Sequence, residues 1–208
     1  MKERELAPRL RSREPIGTLE KDVPYIIVEI GSGLEPWPAV LGVRNPYRQK
    51  ILDTPGMRYV GVDANLDRLK QGQGRLRLTD TARRIDPNER VSFVAAEGGG
   101  LPFAPDTVSE ILVRNVLSDM AIPHEKKIAM MAEAARVLKP SGLLKIIEQI
   151  TPLDESEVLA TVISGSGNAF ASVEPAALSQ GDKENDEQML ELQRYPQARI
   201  LLLTKRPK

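Results

Sequence analysis

Four apolar runs in this chain each lead to a residue that could bind a polar ligand. The first run, residues 25–30, contains Glu29 and is followed by Gly31 and Gly33, and the later runs end at Asp63, at Glu97 before Gly98, and at Asn115. An ionised carboxylate accepts hydrogen bonds from hydroxyl and amino groups. A glycine turn leaves the backbone open to a ligand, because glycine has no Cβ and tolerates positive φ. A buried strand that runs into such a turn predicts a site for a nucleotide-like cofactor.

The spacing of apolar and polar residues predicts strands and helices in alternation. The predicted strands are residues 25–30, 59–63, 91–97, 111–115, 143–147 and 198–204, and helices are predicted near residues 34–41, from Asn65, and over 125–138, 155–163 and 183–194. In the helix over 125–138, the residues Ile128, Met131, Ala135 and Leu138 recur at spacings of three and four, which is typical of one buried face. Residues 139–142 are predicted to end that helix before the fifth strand.

This alternation predicts an α/β fold: a Rossmann-like, doubly wound, mostly parallel sheet with helices on both faces. In such sheets ligands bind at the carboxyl ends of the strands, where the strand order reverses. Residues 1–22 mix charged residues with proline and glycine and show no apolar period, so we expect a flexible arm. Residues 23–208 are then expected to form one domain.

Composition narrows the class of protein. The chain has 208 residues, no cysteine and a formal net charge of zero, and 41% of its residues are hydrophobic. Without a net positive charge, binding to nucleic acid is not expected. No apolar run approaches the roughly 20 residues that cross a bilayer, so no membrane partner is expected. No metal site is predicted, and the absence of cysteine and of a signal-peptide pattern near the first residue favours a cytoplasmic location.

The motifs in this order resemble the class I S-adenosylmethionine-dependent methyltransferases, and among them the small single-domain enzymes related to the ubiquinone-biosynthesis methyltransferases. The resemblance covers roughly residues 25–150. It is carried by residues 28–33 (Val-Glu-Ile-Gly-Ser-Gly), 60–63 (Val-Gly-Val-Asp), 97–103 (Glu-Gly-Gly-Gly-Leu-Pro-Phe), 113–117 (Val-Arg-Asn-Val-Leu) and 135–142 (Ala-Arg-Val-Leu-Lys-Pro-Ser-Gly). Each motif alone is a weak signal, and five in the family's order are specific.

The resemblance implies S-adenosylmethionine as the cofactor and methyl transfer to a small molecule as the reaction. It implies that Asp63 holds the ribose hydroxyls, that Glu97 with Gly98 lies at the adenine amino group, that Gly31 and Gly33 face the methionine portion, that Glu29 supplies negative charge near the cofactor's positive end, and that Asn115 offers an oxygen to the ammonium group. Carboxylates suit the hydroxyl and amino donors of this molecule.

The sequence names no clear catalytic base. His124, the only histidine, follows Pro123 at a predicted helix start, and Asp119 comes just after the fourth strand. Both are candidates for a base, and both also suit a helix start or a turn. Ser118 lies at the same place, where the family often has substrate-facing residues. The arm at residues 1–22 and the segment 37–47 are expected to form the rim of the acceptor pocket.

Other functions stay open on sequence grounds. Glu35 stands where the family commonly has a third glycine, which leaves room for a non-catalytic methyltransferase-like binding or regulatory domain. A protein methyltransferase is a further alternative. A nicotinamide dehydrogenase also has glycines after its first strand, but its fingerprint needs a third glycine where this chain has Pro36. The sequence leaves the oligomeric state undetermined.

Overall fold

The computed structural model of the chain describes residues 25–34, 36, 51, 54, 56–78, 90–149, 152–175 and 198–207. Five sequence-based expectations lie outside these residues, wholly or for the most part. They are the arm at residues 1–22, Glu35, the helix near residues 34–41, the rim segment 37–47 and the helix at residues 183–194.

Seven strands of the described residues form one sheet. They are β1 (Tyr25–Ile30), β2 (Met57–Asp63), β3 (Val91–Ala95), β4 (Val108–Arg114), β5 (Leu138–Gln149), β6 (Phe170–Pro175) and β7 (Ala198–Lys205). Their order across the sheet is β3-β2-β1-β4-β5-β7-β6. Strands β1 to β5 pair in parallel, and β7 is antiparallel to both β5 and β6. The mostly parallel, doubly wound sheet expected from the sequence is confirmed.

Three helices are described: α1 (Leu66–Leu78), α2 (His124–Val137) and α3 (Pro152–Ser166). Helix α1 connects β2 to β3, and α2 connects β4 to β5. These two connections run toward opposite edges of the sheet, and parallel crossovers are right-handed, so α1 and α2 lie on opposite faces. The apolar core that β1, β4 and β5 share with α2 and α3 occupies one face.

Two details of the α2 region differ from the expectation. The buried face of α2 includes Met130, Met131, Ala134 and Ala135, whereas Ile128 is only half-buried. Helix α3 packs closely on α2 here, since a Cβ added at Gly165 would lie 2.4 Å from the carbonyl oxygen of Ile128. Ile128 therefore lies at the junction of two helices, where it is only partly covered.

The expected break after α2 is also different. Residues 139–142 belong to β5, which begins directly at Leu138. The pairing passes from Val108 with Leu138 to Glu110 with Leu143, so these residues form a bulge on β5. Proline and glycine indicate an interruption of pairing, and a bulge is one form of it. Strand β6 was not expected, because the sequence around Phe170 is a stretch of small residues.

Candidate functional site

The strand order reverses between β1 and β4, because the chain builds outward through β2 and β3 and then returns to the other side of β1. In doubly wound sheets this switch point is where ligands bind, outside the carboxyl ends of the strands. The residues that follow β1, β2, β3 and β4 are those singled out from the sequence. The topology therefore brings Gly31, Asp63, Glu97 and Asn115 to one edge of the sheet.

The glycine turn after β1 is held against the end of β2. Gly31 and Ser32 both donate their backbone N–H to the carbonyl of Val62, at 2.8 and 3.1 Å. Gly31 has φ 75° and Gly33 has φ 50°, a region that side chains with a Cβ disfavour. A Cβ at Gly31 would also lie 2.4 Å from Cγ2 of Val116. The turn therefore needs glycine at position 31 for both its conformation and its packing.

Asp63, the last residue of β2, connects this turn to helix α1. Its Oδ2 accepts the backbone N–H of Gly33 at 3.0 Å, and its Oδ1 accepts that of Asn65 at 2.7 Å. Asn65 then caps α1, because its side-chain oxygen accepts the N–H groups of Asp67 and Arg68. A carboxylate has about four lone-pair directions. Asp63 is half-buried and has the capacity to accept further hydrogen bonds at the strand edge.

Glu97 lies beyond β3 and is exposed. Both of its oxygens accept hydrogen bonds from the ammonium group of Lys126, which lies in the first turn of α2, with 3.1 Å from Nζ to each oxygen. Gly98 follows, and a Cβ there would lie 2.8 Å from Cε of Met130 and 2.9 Å from Cγ2 of Ile30. The small size of Gly98 thus lets this loop approach the carboxyl end of β1. Glu97 is brought to the same edge of the sheet as Asp63.

Glu29 is bonded within the protein, and its expected role near the cofactor's positive end stays a prediction. Its side chain is fully buried and forms an ion pair with Arg114 of β4, with 3.2 Å between Oε1 and a guanidinium nitrogen. Its other oxygen accepts a hydrogen bond from the hydroxyl of Tyr59 on β2. Glu29 lies within β1 rather than after it, so its side chain points to a face of the sheet. The Glu29 side chain therefore links β1 to β2 through Tyr59 and to β4 through Arg114.

Asn115 begins the segment that follows β4. It has φ 52°, a left-handed conformation that asparagine tolerates better than most residues, and its N–H donates to the carbonyl of Ile147 at 2.9 Å. The residue is exposed at the switch point. Its backbone bond ties the exit of β4 to the end of β5.

Glu148, near the end of β5, was not singled out from the sequence. Its carboxylate is buried and accepts four hydrogen bonds from residues 116–118. Oε1 accepts the N–H groups of Val116 (3.0 Å) and Leu117 (2.8 Å), and Oε2 accepts the N–H (3.2 Å) and the hydroxyl (2.6 Å) of Ser118. Burial raises the pKa of Glu148, and the hydrogen bonds from Ser118 and the backbone only partly oppose this.

The raised pKa of Glu148 predicts a particular pH dependence of stability. The folded chain holds this proton more tightly than the unfolded chain does, so the contribution is fully present below the ordinary pKa of about 4.5. It is lost as the pH rises through the higher pKa of the folded state. We therefore expect the stability of the parent, measured against Glu148→Gln by urea unfolding, to fall as the pH rises from about 4.5. A difference that stays constant between pH 4 and 8 would contradict this.

The two candidate bases occupy turn and helix-start positions. Oδ1 of Asp119 accepts the N–H of Ala121 at 2.8 Å, which closes a turn. His124 is the first residue of α2 and is exposed. Both placements agree with the non-catalytic interpretations of these residues. Their role as bases stays a prediction.

Two side chains of α2, Glu133 and Arg136, bind the backbone of residues 101–103. Oε1 of Glu133 accepts the N–H of Leu101 at 2.8 Å and a guanidinium hydrogen bond from Arg136 at 2.6 Å. Arg136 also donates to the carbonyl of Phe103 at 2.9 Å. Leu101 and Phe103 are buried. The Leu-Pro-Phe motif is therefore held by α2, which keeps the preceding Glu97 loop at the sheet edge.

Glu148 could have been found from the sequence. The rule that found Asp63 and Asn115, an apolar run that leads to a polar residue, also applies to Ile146, Ile147 and Glu148.

Among the described helices, none is both long and apolar enough to cross a bilayer. Within the same described parts of the chain, no group of three or more histidine, aspartate or glutamate side chains could hold a metal ion.

Comparisons with known proteins agree with this fold. The structure resembles an S-adenosylmethionine-dependent methyltransferase from Aquifex aeolicus (14% identity, TM-score 0.53, covering 87% of this chain and 82% of that one). It also resembles the YcgJ protein from Bacillus subtilis (17%, 0.51, 93% and 97%) and geranyl diphosphate C-methyltransferase from Streptomyces coelicolor A3(2), solved with Mg2+, geranyl diphosphate and S-adenosyl-L-homocysteine (16%, 0.50, 88% and 72%). At these identities the likeness shows the fold.

The sequence itself gives the family. No curated protein matches the chain significantly. The family profile described as "Methyltransferase domain" matches residues 41–146, more than half of the 208-residue chain. This match covers β2 to β4, helices α1 and α2, and most of β5. The chain belongs to the methyltransferase-domain family.

Proposed function

We propose that this protein transfers the methyl group of S-adenosylmethionine to a small-molecule acceptor. One observation carries the proposal: Asp63 lies at the end of β2, is bonded to the glycine turn through Gly33, and keeps acceptor capacity at the switch point. This is the chemistry that a ribose diol requires, since each hydroxyl needs an acceptor.

The remaining residues at this edge fit the other parts of the cofactor. Glu97 is exposed and supplies acceptor oxygens for an adenine amino group, with Lys126 holding its carboxylate in place. The turn at Gly31 and Gly33 offers backbone to the methionine portion, and Asn115 lies at the end of the neighbouring strand. Glu29 is assigned a supporting role instead of a ligand contact, because its carboxylate is already paired with Arg114.

When bound, S-adenosylmethionine supplies a methyl group made reactive by the attached sulfonium. The chain's own contribution is to align the acceptor and to exclude water, and alignment of two reactants can lower a barrier by several kcal/mol. A general base is needed only for an acceptor that arrives protonated. His124 and Asp119 are proposed as the residues to test for that role.

A small-molecule acceptor is favoured by the zero net charge, which gives no overall attraction to nucleic acid. The Streptomyces neighbour, solved with geranyl diphosphate bound, is a precedent for a small acceptor on this fold. The narrower likeness to ubiquinone-biosynthesis methyltransferases and the cytoplasmic location stay predictions. Protein methylation and a non-catalytic binding role are the competing functions.

The acceptor class is tested by incubating the purified protein with methyl-tritiated S-adenosylmethionine and a cell extract. The extract is separated beforehand into small molecules, protein and nucleic acid. We expect label in the small-molecule fraction, and no transfer with heat-inactivated protein. Label in the protein fraction would identify a protein methyltransferase. Cofactor binding without transfer to any fraction would favour the non-catalytic role.

A further inference from the structure

The carboxylate of Glu148 organises the segment that follows β4. Four donors from residues 116–118 converge on its two oxygens, and the residue is 1% exposed. Three of the donors are backbone N–H groups, and they bind this carboxylate. Without this carboxylate they would be left unpaired in a buried place, which costs free energy for each group.

The same segment packs on the glycine turn. The side chain of Val116 is buried, and its Cγ2 lies only 2.4 Å from the position that a Cβ of residue 31 would take. Val116 is also the first residue whose N–H is bound by Glu148. A continuous path of contacts therefore runs from Glu148 through the backbone and side chain of Val116 to Gly31.

Glu148 is suited to orientation and not to proton transfer. A carboxylate has about four acceptor directions, and Glu148 uses four of them. Asp63 differs, because the backbone N–H groups of Gly33 and Asn65 occupy only two directions.

We propose that Glu148 is a positioning residue for the cofactor site, acting through Val116 on the glycine turn. The proposal rests on the proposed function, since it assumes that the turn holds S-adenosylmethionine. It assigns Glu148 an effect on ligand affinity although its carboxylate is buried and bonded within the protein.

The test is a double-mutant cycle read by calorimetric titration with S-adenosylhomocysteine. We expect Glu148→Gln to weaken binding about tenfold, or about 1.4 kcal/mol, and Val116→Ala to weaken it several-fold. Because the two residues act along one path, the double variant should bind S-adenosylhomocysteine about as tightly as the single variant with the lower affinity does. Losses that multiply in the double variant, or a Glu148→Gln protein with parental affinity, would overturn the proposal.

Lys205→Met is the matched control for a general loss of stability. The Lys205 ammonium binds Asp106 at 2.7 Å and the carbonyl of Leu138 at 2.6 Å, at the opposite edge of the sheet. This variant should be less stable and keep its affinity for S-adenosylhomocysteine. If both variants lose the same affinity, the weaker binding of Glu148→Gln follows from lower stability, and the positioning role is overturned.

Two further measurements cover other outcomes. If Glu148→Gln does not fold, Ser118→Ala takes its place in the cycle, since it removes only one donor to the same carboxylate. If the parent does not bind S-adenosylhomocysteine, the proposed function fails, and hydrogen exchange still tests the path. Glu148→Gln should then speed exchange at the amides of Gly31 and Ser32, and unchanged exchange there would refute the positioning role.

Discussion

Asp63→Ala should weaken binding of S-adenosylhomocysteine by a factor of about 10 to 100, as expected for the loss of 1.5–3 kcal/mol in hydrogen bonds to a charged group. The carboxylate would no longer accept the ribose hydroxyls, and the N–H of Gly33 would lose its acceptor. Calorimetric titration measures the affinity, and circular dichroism verifies the fold.

Asn65→Ala provides the control for Asp63. It removes the side-chain oxygen that caps α1 and leaves the Asp63 carboxylate in place. The variant should lose about 1 kcal/mol of stability, the usual cost of an N-cap, with little change in affinity. If Asp63→Ala binds as tightly as the parent, the assignment of the second strand end is wrong.

Arg114→Met should lower the stability of the fold by about 3–5 kcal/mol. It leaves the Glu29 carboxylate fully buried without its cation. Such a loss is a large part of the 5–15 kcal/mol by which domains are usually stable. Urea unfolding of the purified variant measures it.

Two variants separate this effect from ordinary charge removal. The double variant Glu29→Gln with Arg114→Met should recover part of the stability, because the buried side chain at position 29 then carries no charge. Lys126→Met breaks the exposed pair with Glu97 and should cost less than about 1 kcal/mol. Equal losses for Arg114→Met and Lys126→Met would contradict a buried role for the Glu29 pair.

The alternation of elements was enough to predict the mostly parallel sheet. Parallel strands must be joined by crossovers of one hand, so the order of strands and helices leaves few topologies. A polar residue directly after an apolar run indicates the carboxyl end of a strand. This placed Asp63, Glu97 and Asn115 at one edge without knowledge of any contact.

Glu29 differs from these three residues because of strand periodicity. Glu29 precedes Ile30, the last residue of β1, so its side chain leaves through a face of the sheet and not at the edge. Its partners Tyr59 and Arg114 lie 30 and 85 residues away in the chain. Those contacts depend on the register between β1, β2 and β4, which the sequence does not reveal.

Glu148 was missed for a related reason. Its four donors follow Asn115, which takes a left-handed conformation and whose N–H binds the carbonyl of Ile147 in β5. A strand-end acid is visible in the sequence, but the turn that surrounds it with N–H groups is not. Residue type thus predicted which residues meet at one edge of the sheet, and backbone geometry decided which carboxylates are bonded within the protein.

Titration of the purified 208-residue parent with S-adenosylhomocysteine in a calorimeter tests the central claim most directly. We predict one site with a dissociation constant in the micromolar range, and no binding of NAD, which would be the ligand of the dehydrogenase alternative. The claim is contradicted if folded protein shows no binding of S-adenosylhomocysteine at millimolar concentration, or if NAD binds in its place.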